Sequence, residues 1–333
     1  MLARPTMKDV AQAAGVSAMT VSRVVSGDPG VMPETAAKVQ RAIRKLGYQR
    51  DDLARQLRRK GQLTQTVALL VDNVADPFMA SLASAVEDVA RRHDSVVLIG
   101  SSRDDLRRER EVISAFTARR VDGLILIPVK GSHGFLRNAM ATGTRVVCAD
   151  RSASGLDVDN VVIDNRGAAD EAITHLIGRG HRRIAYLGDC LDIWTIEERY
   201  AGYRAALGAA GLPVDEDIVR HGLRLPQDAE AAVAAVLAAP EPPTAVLASN
   251  GIVGLGTRAA LPAHVALVSF DDFLLAPQLH PAVTVIAQDP VAMGTTAAHL
   301  LFSRIHGDES PPRTVILPTQ LIPRGSGEIP ASG

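Results

Sequence analysis

The chain has 333 residues, 47% of them hydrophobic and 3% aromatic, with 36 Lys and Arg against 37 Asp and Glu for a formal net charge of −1. That hydrophobic share excludes wholesale disorder, and the length suits two or three domains. The near-neutral total hides an asymmetry: 12 Lys and Arg against 5 Asp and Glu up to Lys60, a net of +7, and 24 against 32 afterwards, a net of −8. A basic head on an acidic body is the distribution expected of a nucleic-acid module joined to something else.

The first predicted helix starts at a capping-box variant, Thr6 with Asp9, and presents Val10, Ala11 and Ala14 on one face before Gly15 stops it. Ser17 then caps a second helix in which Val21, Val24 and Val25 point inward while Ala18, Met19, Ser22 and Arg23 point out. Two short helices joined by a glycine-containing turn predict a helix-turn-helix, whose second helix enters the major groove. A third helix is predicted over 33–46, with Ala36, Val39, Ile43 and Leu46 as its packing stripe and Gly47 as its stop.

After a charged linker, YQRDDLARQLRRKG, short apolar runs alternate with amphipathic stretches. Strands are predicted at 67–71, 96–99, 124–127, 146–149, 161–163, 184–187, 245–248, 266–269 and 284–287, and helices at 79–92, 105–120, 167–180, 197–211, 227–239 and 290–306. Strands that are apolar throughout and separated by helices imply parallel sheets covered on both faces, and nine strands suffice for two doubly wound sheets. Ligands in such sheets bind beyond the carboxyl ends of strands. There the chain places Asp76-Pro77-Phe78, Asp150-Arg151, Asp164, residues 188–195, Ser249-Asn250, Asp271-Asp272 and Gln288-Asp289, a polar and acidic set suited to a ligand rich in hydroxyls.

Cys148 and Cys190 both lie in apolar runs and no CxxC pair exists, so neither a disulfide framework nor a zinc site is expected. The N-terminus lacks the apolar stretch of a signal peptide, and no run approaches the 18 apolar residues of a membrane span. A cytoplasmic, nucleoid-associated protein with no membrane partner is expected. The nine histidines are scattered singly, with no HExxH, no Gly-x-Ser-x-Gly elbow and no Walker A spacing. We therefore expect no catalytic residues, no metal and no cofactor.

TMKDVAQAAGVSAMTVSRVVSG followed by VMPETAAKVQRAIRKLGY resembles the DNA-binding head of the LacI/GalR (lactose-repressor) family of bacterial transcription regulators. The resemblance implies that Ala18, Met19 and Arg23 read bases. Arg23 suits a bidentate contact to guanine and the other two suit apolar contacts, while Thr6, Ser17, Thr20, Ser22 and Tyr48 suit phosphates. It also implies a hinge helix in the linker, with Ala54 at its small position and Leu57 as the side chain wedged into the minor groove. Arg50-Asp51 stands where the family usually has Pro-Asn.

The remainder, through DPF, VDGLIL, VVCADRS, GHRRIAYLGD, ERYAGYRAAL, VALVSFDD and PRTVILPTQLIPRGS, resembles the family's periplasmic-binding-protein-like effector domain. The implied organisation is a DNA-binding domain over 1–49 and a hinge and linker over 50–64. Two effector subdomains follow, one over 65–163 with 290–317 and the other over 164–289 with 318–333. Arg199 matches the family's effector-gripping arginine, and Phe78, Asp150, Trp194, Asn250 and Gln288 are further effector candidates. The family's usual Asn-Asp is Asn250-Gly251 here, and the segment 251–264 is short, which implies a truncated helix in that wall. DCLDIWTIEERYAGY and SAMTVSR are closest in flavour to gluconate-type repressors, so the resemblance implies a sugar or sugar-acid effector and points to a gluconate-like one. The partners implied are a palindromic operator DNA and a second copy of the chain in a homodimer. The alternatives are a ligand-unresponsive repressor and a sugar-binding protein.

Overall fold

A computed structural model describes residues 5–48 and 63–331. The chain divides into two compact units, Met1–Leu63 and Thr64–Gly333.

The first unit holds α1 (Met7–Ala14), α2 (Ala18–Val25) and α3 (Pro33–Leu46). Both halves of the capping box form, with the Thr6 amide donating to Asp9 Oδ2 at 2.6 Å and the Asp9 amide donating to Thr6 Oγ1 at 3.4 Å. Gly15 ends α1 in the left-handed region at φ 66°. Val10, Ala11, Val21, Val39 and Ala42 make the core. Ala42 is buried where the stripe at 36, 39, 43 and 46 omitted it, because α1 and α2 both pack on α3 and its apolar face is correspondingly wider.

The second unit contains two six-stranded sheets. The first is built from β1 (Thr66–Val71), β2 (Val96–Ser101), β3 (Gly123–Leu126), β4 (Arg145–Ala149), β5 (Asp159–Ile163) and β11 (Thr314–Leu317), in the order β11-β5-β4-β3-β1-β2, all parallel. The second holds β6 (Ile184–Leu187), β7 (Val219–Arg220), β8 (Ala245–Ala248), β9 (Ala266–Phe270), β10 (Thr284–Ala287) and β12 (Gln320–Ile322), in the order β12-β10-β9-β8-β6-β7. In it only β12 runs antiparallel to its neighbour. Helices α4 (Pro77–Arg92), α5 (Leu106–Ala118), α6 (Leu136–Ala141), α7 (Asn165–Gly178), α8 (Trp194–Ala209), α9 (Pro226–Leu237), α10 (Gly251–Ala260) and α11 (Pro290–Ile305) cover the sheets. Each sheet carries an apolar cluster on both faces, as parallel sheets require.

All nine expected strands form. The three unforeseen ones, β7, β11 and β12, sit at sheet edges. There one side of a strand meets water, so the apolar run breaks up; β11 alternates exposed and half-buried residues. The chain passes between the sheets three times. Asp164 alone separates β5 from α7, Gln288 and Asp289 separate β10 from α11, and Pro318 and Thr319 separate β11 from β12.

Candidate functional site

On the first unit, α2 presents Ala18, Met19, Ser22 and Arg23 to solvent, and Met19 is 75% exposed although it is a large apolar side chain. Three of the five hydroxyls expected to meet phosphate, those of Thr6, Ser17 and Thr20, are engaged locally. Thr6 Oγ1 donates to Asp9 Oδ2 at 2.7 Å, and Ser17 caps α2 while its Oγ lies 2.9 Å from Thr20 Oγ1. Tyr48 is half-buried against the three-helix core. Arg23 is the one base-reading candidate already held in place, with Nε donating to Asp28 Oδ2 at 2.8 Å. Ala54 and Leu57 lie outside the described residues.

In the second unit, a cavity of about 360 Å³ opens between the carboxyl ends of the two sheets. From the first sheet come Asp72 and Asp76 after β1, Phe78 on α4, Arg103 and Asp104 after β2, and Asp150 and Arg151 after β4. From the second come Asp189 after β6, Arg199 on α8, Arg224 before α9, Asn250 after β8 and Asp271 after β9, with Gln288 at a crossing. Five of the six effector candidates thus line one cavity. Trp194 is not among the lining residues; its neighbours Ile193, Thr195 and Ile196 are. α8 turns every 3.6 residues, so the faces at 195, 196 and 199 exclude position 194.

Arg151 is buried and gathers three carboxylates: Nη1 to Asp104 Oδ1 at 2.7 Å, Nη2 to Asp72 Oδ2 at 3.3 Å, and Nε to Asp150 Oδ2 at 3.4 Å. Burial opposes its charge, but the three carboxylates outweigh burial and keep it protonated. Burial also dominates the carboxylates. It pushes Asp72 up to about 7 against the pull of Arg151, and Asp76 up to about 6, with Asp271 and Asp150 adding repulsion from both sheets. Asp150 and Asp189 are raised in the same direction, again chiefly by burial.

Arg199, 3% exposed, donates from Nε to Asn165 Oδ1 at 2.8 Å and from Nη1 to the Ser249 carbonyl at 2.6 Å, and lies 4.1 Å over the Phe270 ring. Asn250 caps α10 by accepting from the Val253 amide at 2.9 Å. Gln288 donates from Nε2 to Asp271 Oδ1 at 2.6 Å, and its Oε1 is buried with no protein partner. Outside the cavity lining, Lys130, beyond β3 of the first sheet, reaches Glu197 of α8 on the second at 3.2 Å and so bridges the two halves. The expected truncated wall is a ten-residue helix, α10. Arg103, Asp104, Asp72 and Arg224 are the charged lining residues absent from both the strand-end set and the effector candidates. The rule that ligands sit beyond strand ends, applied to β2 as well, points to the first two.

Among the described residues no helix is long and apolar enough to cross a membrane, and no group of three His, Cys, Asp or Glu is placed to hold a metal.

Residues 6–51 match the family model for bacterial regulatory proteins of the lacI family, and residues 173–327 match a periplasmic binding protein-like domain. The chain is 34% identical over 339 residues to the HTH-type transcriptional regulator PtxS of Pseudomonas aeruginosa, spanning 97% of this chain and 96% of that protein. Among solved structures it resembles a transcriptional regulator CelR–cellobiose complex, with a TM-score of 0.71 and 32% identity over 97% of this chain and all of that one. It shares the fold of the Lac repressor dimer bound to operator, with a TM-score of 0.84 and 24% identity over 98% and 99% of the two chains.

Proposed function

The chain belongs to the LacI family of bacterial regulatory proteins, and from that premise we infer a sequence-specific transcription repressor whose operator affinity is set by a sugar held between its two lobes. It is a regulator, not an enzyme. The base-reading face is Ala18, Met19 and Arg23 on α2, with Thr6, Ser17, Thr20, Ser22 and Tyr48 at phosphates and Ala54 and Leu57 in the minor groove of a kinked operator centre. The protein works as a homodimer on a near-palindromic operator in the cytoplasm. The exposed edge strand β2, with Val96 63% and Ile99 49% exposed, supports a second copy covering that edge.

Phe78, Asp150, Arg199, Asn250 and Gln288 are the proposed effector contacts. The observation that carries the sugar reading is the charge of the cavity wall, where six aspartates face four arginines and Arg151 is shared among three of them. Carboxyl groups pair with hydroxyls whether ionised or protonated, and the buried cation Arg151 is already engaged by three of them, so an uncharged sugar fits this wall better than an aldonate. The unpartnered Gln288 Oε1 supplies one more acceptor. Effector binding that closes the lobes changes their orientation and hence the operator affinity, and by linkage operator binding changes effector affinity by the same factor, typically 5–150-fold.

The test is calorimetry of the full chain against cellobiose, galactose and gluconate, with and without its operator. Heat from a neutral sugar, with an affinity that operator shifts, is the expected result. Heat from gluconate alone overturns the neutral-sugar assignment. The rival reading, a ligand-unresponsive repressor, draws on Arg199 being engaged by Asn165 and Ser249, and silence with every ligand would favour it.

A further inference from the structure

The turn after α2 does more than end a helix. Gly27 adopts φ 72°, which swings the chain back so that the Asp28 amide donates to the carbonyl of Arg23 at 3.0 Å. The Asp28 carboxylate is then fixed on both oxygens: Oδ1 accepts from the Gly30 amide at 2.8 Å and Oδ2 accepts from Arg23 Nε at 2.8 Å. Gly30 completes the arrangement, because a Cβ at that position would stand 2.8 Å from Arg23 Nη2 and 3.1 Å from Asp28 Oδ1.

We propose that Asp28 is a specificity-determining positioning residue, which grips the Nε edge of Arg23 and leaves its two terminal amino groups aimed as a fork at a guanine of the operator. This rests on the assignment of Arg23 as a base reader. A guanidinium held at one edge loses less freedom on reaching DNA than a free arginine does, and the fork left over matches the O6 and N7 acceptors of guanine. The ion pair is exposed, with 51% and 37% of the two side chains accessible, so its contribution to folding is small and its effect falls on recognition. Asp28 carries the wrong sign for phosphate. Its removal should therefore not weaken nonspecific attraction to DNA, which separates it from every basic residue of the head.

The experiment uses the full chain and duplexes selected by the wild-type protein from a randomised pool, each base pair then varied singly. Arg23→Ala, Asp28→Ala, Gly30→Ala and the double variant Arg23→Ala/Asp28→Ala are compared with wild type, with thermal melting of each as a check on folding. We expect Asp28→Ala to lose about tenfold in preference at one G·C pair per half-site, to keep its preferences elsewhere, and to bind scrambled DNA as well as or better than wild type. Gly30→Ala should relax the same position without any charge removed, and the double variant should be no worse there than Arg23→Ala alone. Asp28→Ala that discriminates like wild type while Arg23→Ala does not would overturn the proposal. So would an equal loss at every position accompanied by lower melting. Unchanged discrimination by Arg23→Ala would instead overturn the base-reading assignment beneath it.

Discussion

At the scale of single residues, the cavity wall stores its charges in two different ways. Arg151 is surrounded by partners, whereas Asp76 has one amide donor, from Phe78 at 2.9 Å, and two carboxylates for company. Its pKa rises from the ordinary 3.8 to about 6, so the folded protein holds that proton more tightly than the unfolded chain does. Over that range stability from this group is greatest at low pH and is lost as pH rises through about 6. Asp76→Asn keeps the cap and cannot ionise. Its melting temperature should exceed wild type at pH 8, by the equivalent of about 1–3 kcal/mol, with the gap narrowing through pH 6 and closing below the unfolded value of 3.8. A gap that widens on acidification would refute this.

Arg199 is the opposite case. Arg199→Ala strands the buried Asn165 amide oxygen and the Ser249 carbonyl, with an expected loss of about 1–3 kcal/mol in chemical denaturation and of the response to sugar. The motif ERYAGY makes Arg199 visible in the chain, and the strand-end rule makes Asp150 and Gln288 visible. That Arg151 would be the shared cation was hidden, because Asp72 and Asp104 come to it from 79 and 47 residues away.

At the scale of elements, periodicity located the interior strands because both their faces are buried and every position is apolar. It missed α10, whose run GIVGLGTRAA carries three glycines that disfavour an isolated helix. Packing overrides that propensity. A Cβ on Gly254 would lie 2.8 Å from Ser269 Cβ, and one on Gly256 would lie 2.7 Å from the Pro226 carbonyl carbon, so the glycines let α10 seat against β9 and α9. The same device joins α4 to α11, where a Cβ on Gly294 would stand 2.5 Å from the Leu82 carbonyl oxygen. Gly294→Ala should therefore destabilise the protein by about 1–3 kcal/mol despite its better helix propensity, which a denaturant titration would read directly. An increase in stability would show that the two helices separate at no cost.

At the scale of the whole molecule, charge is divided by function. The net −8 body gains nothing from approaching phosphates, so a fragment beginning at Thr64 should bind no operator at any salt, and retention in a shift assay would contradict that division. The Lys130–Glu197 pair bridges the two halves of the second unit with both side chains 51% accessible. Lys130→Ala should weaken sugar binding about two- to fivefold, the scale of an exposed pair. Trp194, the only tryptophan in the chain and three residues before Glu197, offers an intrinsic emission signal for closure. Unaltered sugar affinity in Lys130→Ala would leave the pair without a part in closing.

The pairing of β11 with the first sheet and β12 with the second has a genetic consequence. Only Pro318 and Thr319 separate these strands, and each is the outermost of its sheet. A stop codon anywhere between 290 and 313 would strip an edge from both halves at once and lay bare β5 and β10, whose Val161, Val162, Ile163, Val285 and Ile286 are buried. Such a truncation leaves no intact half to survive as a dominant-negative partner. It should behave as a simple loss of repressor, recovered in the insoluble fraction.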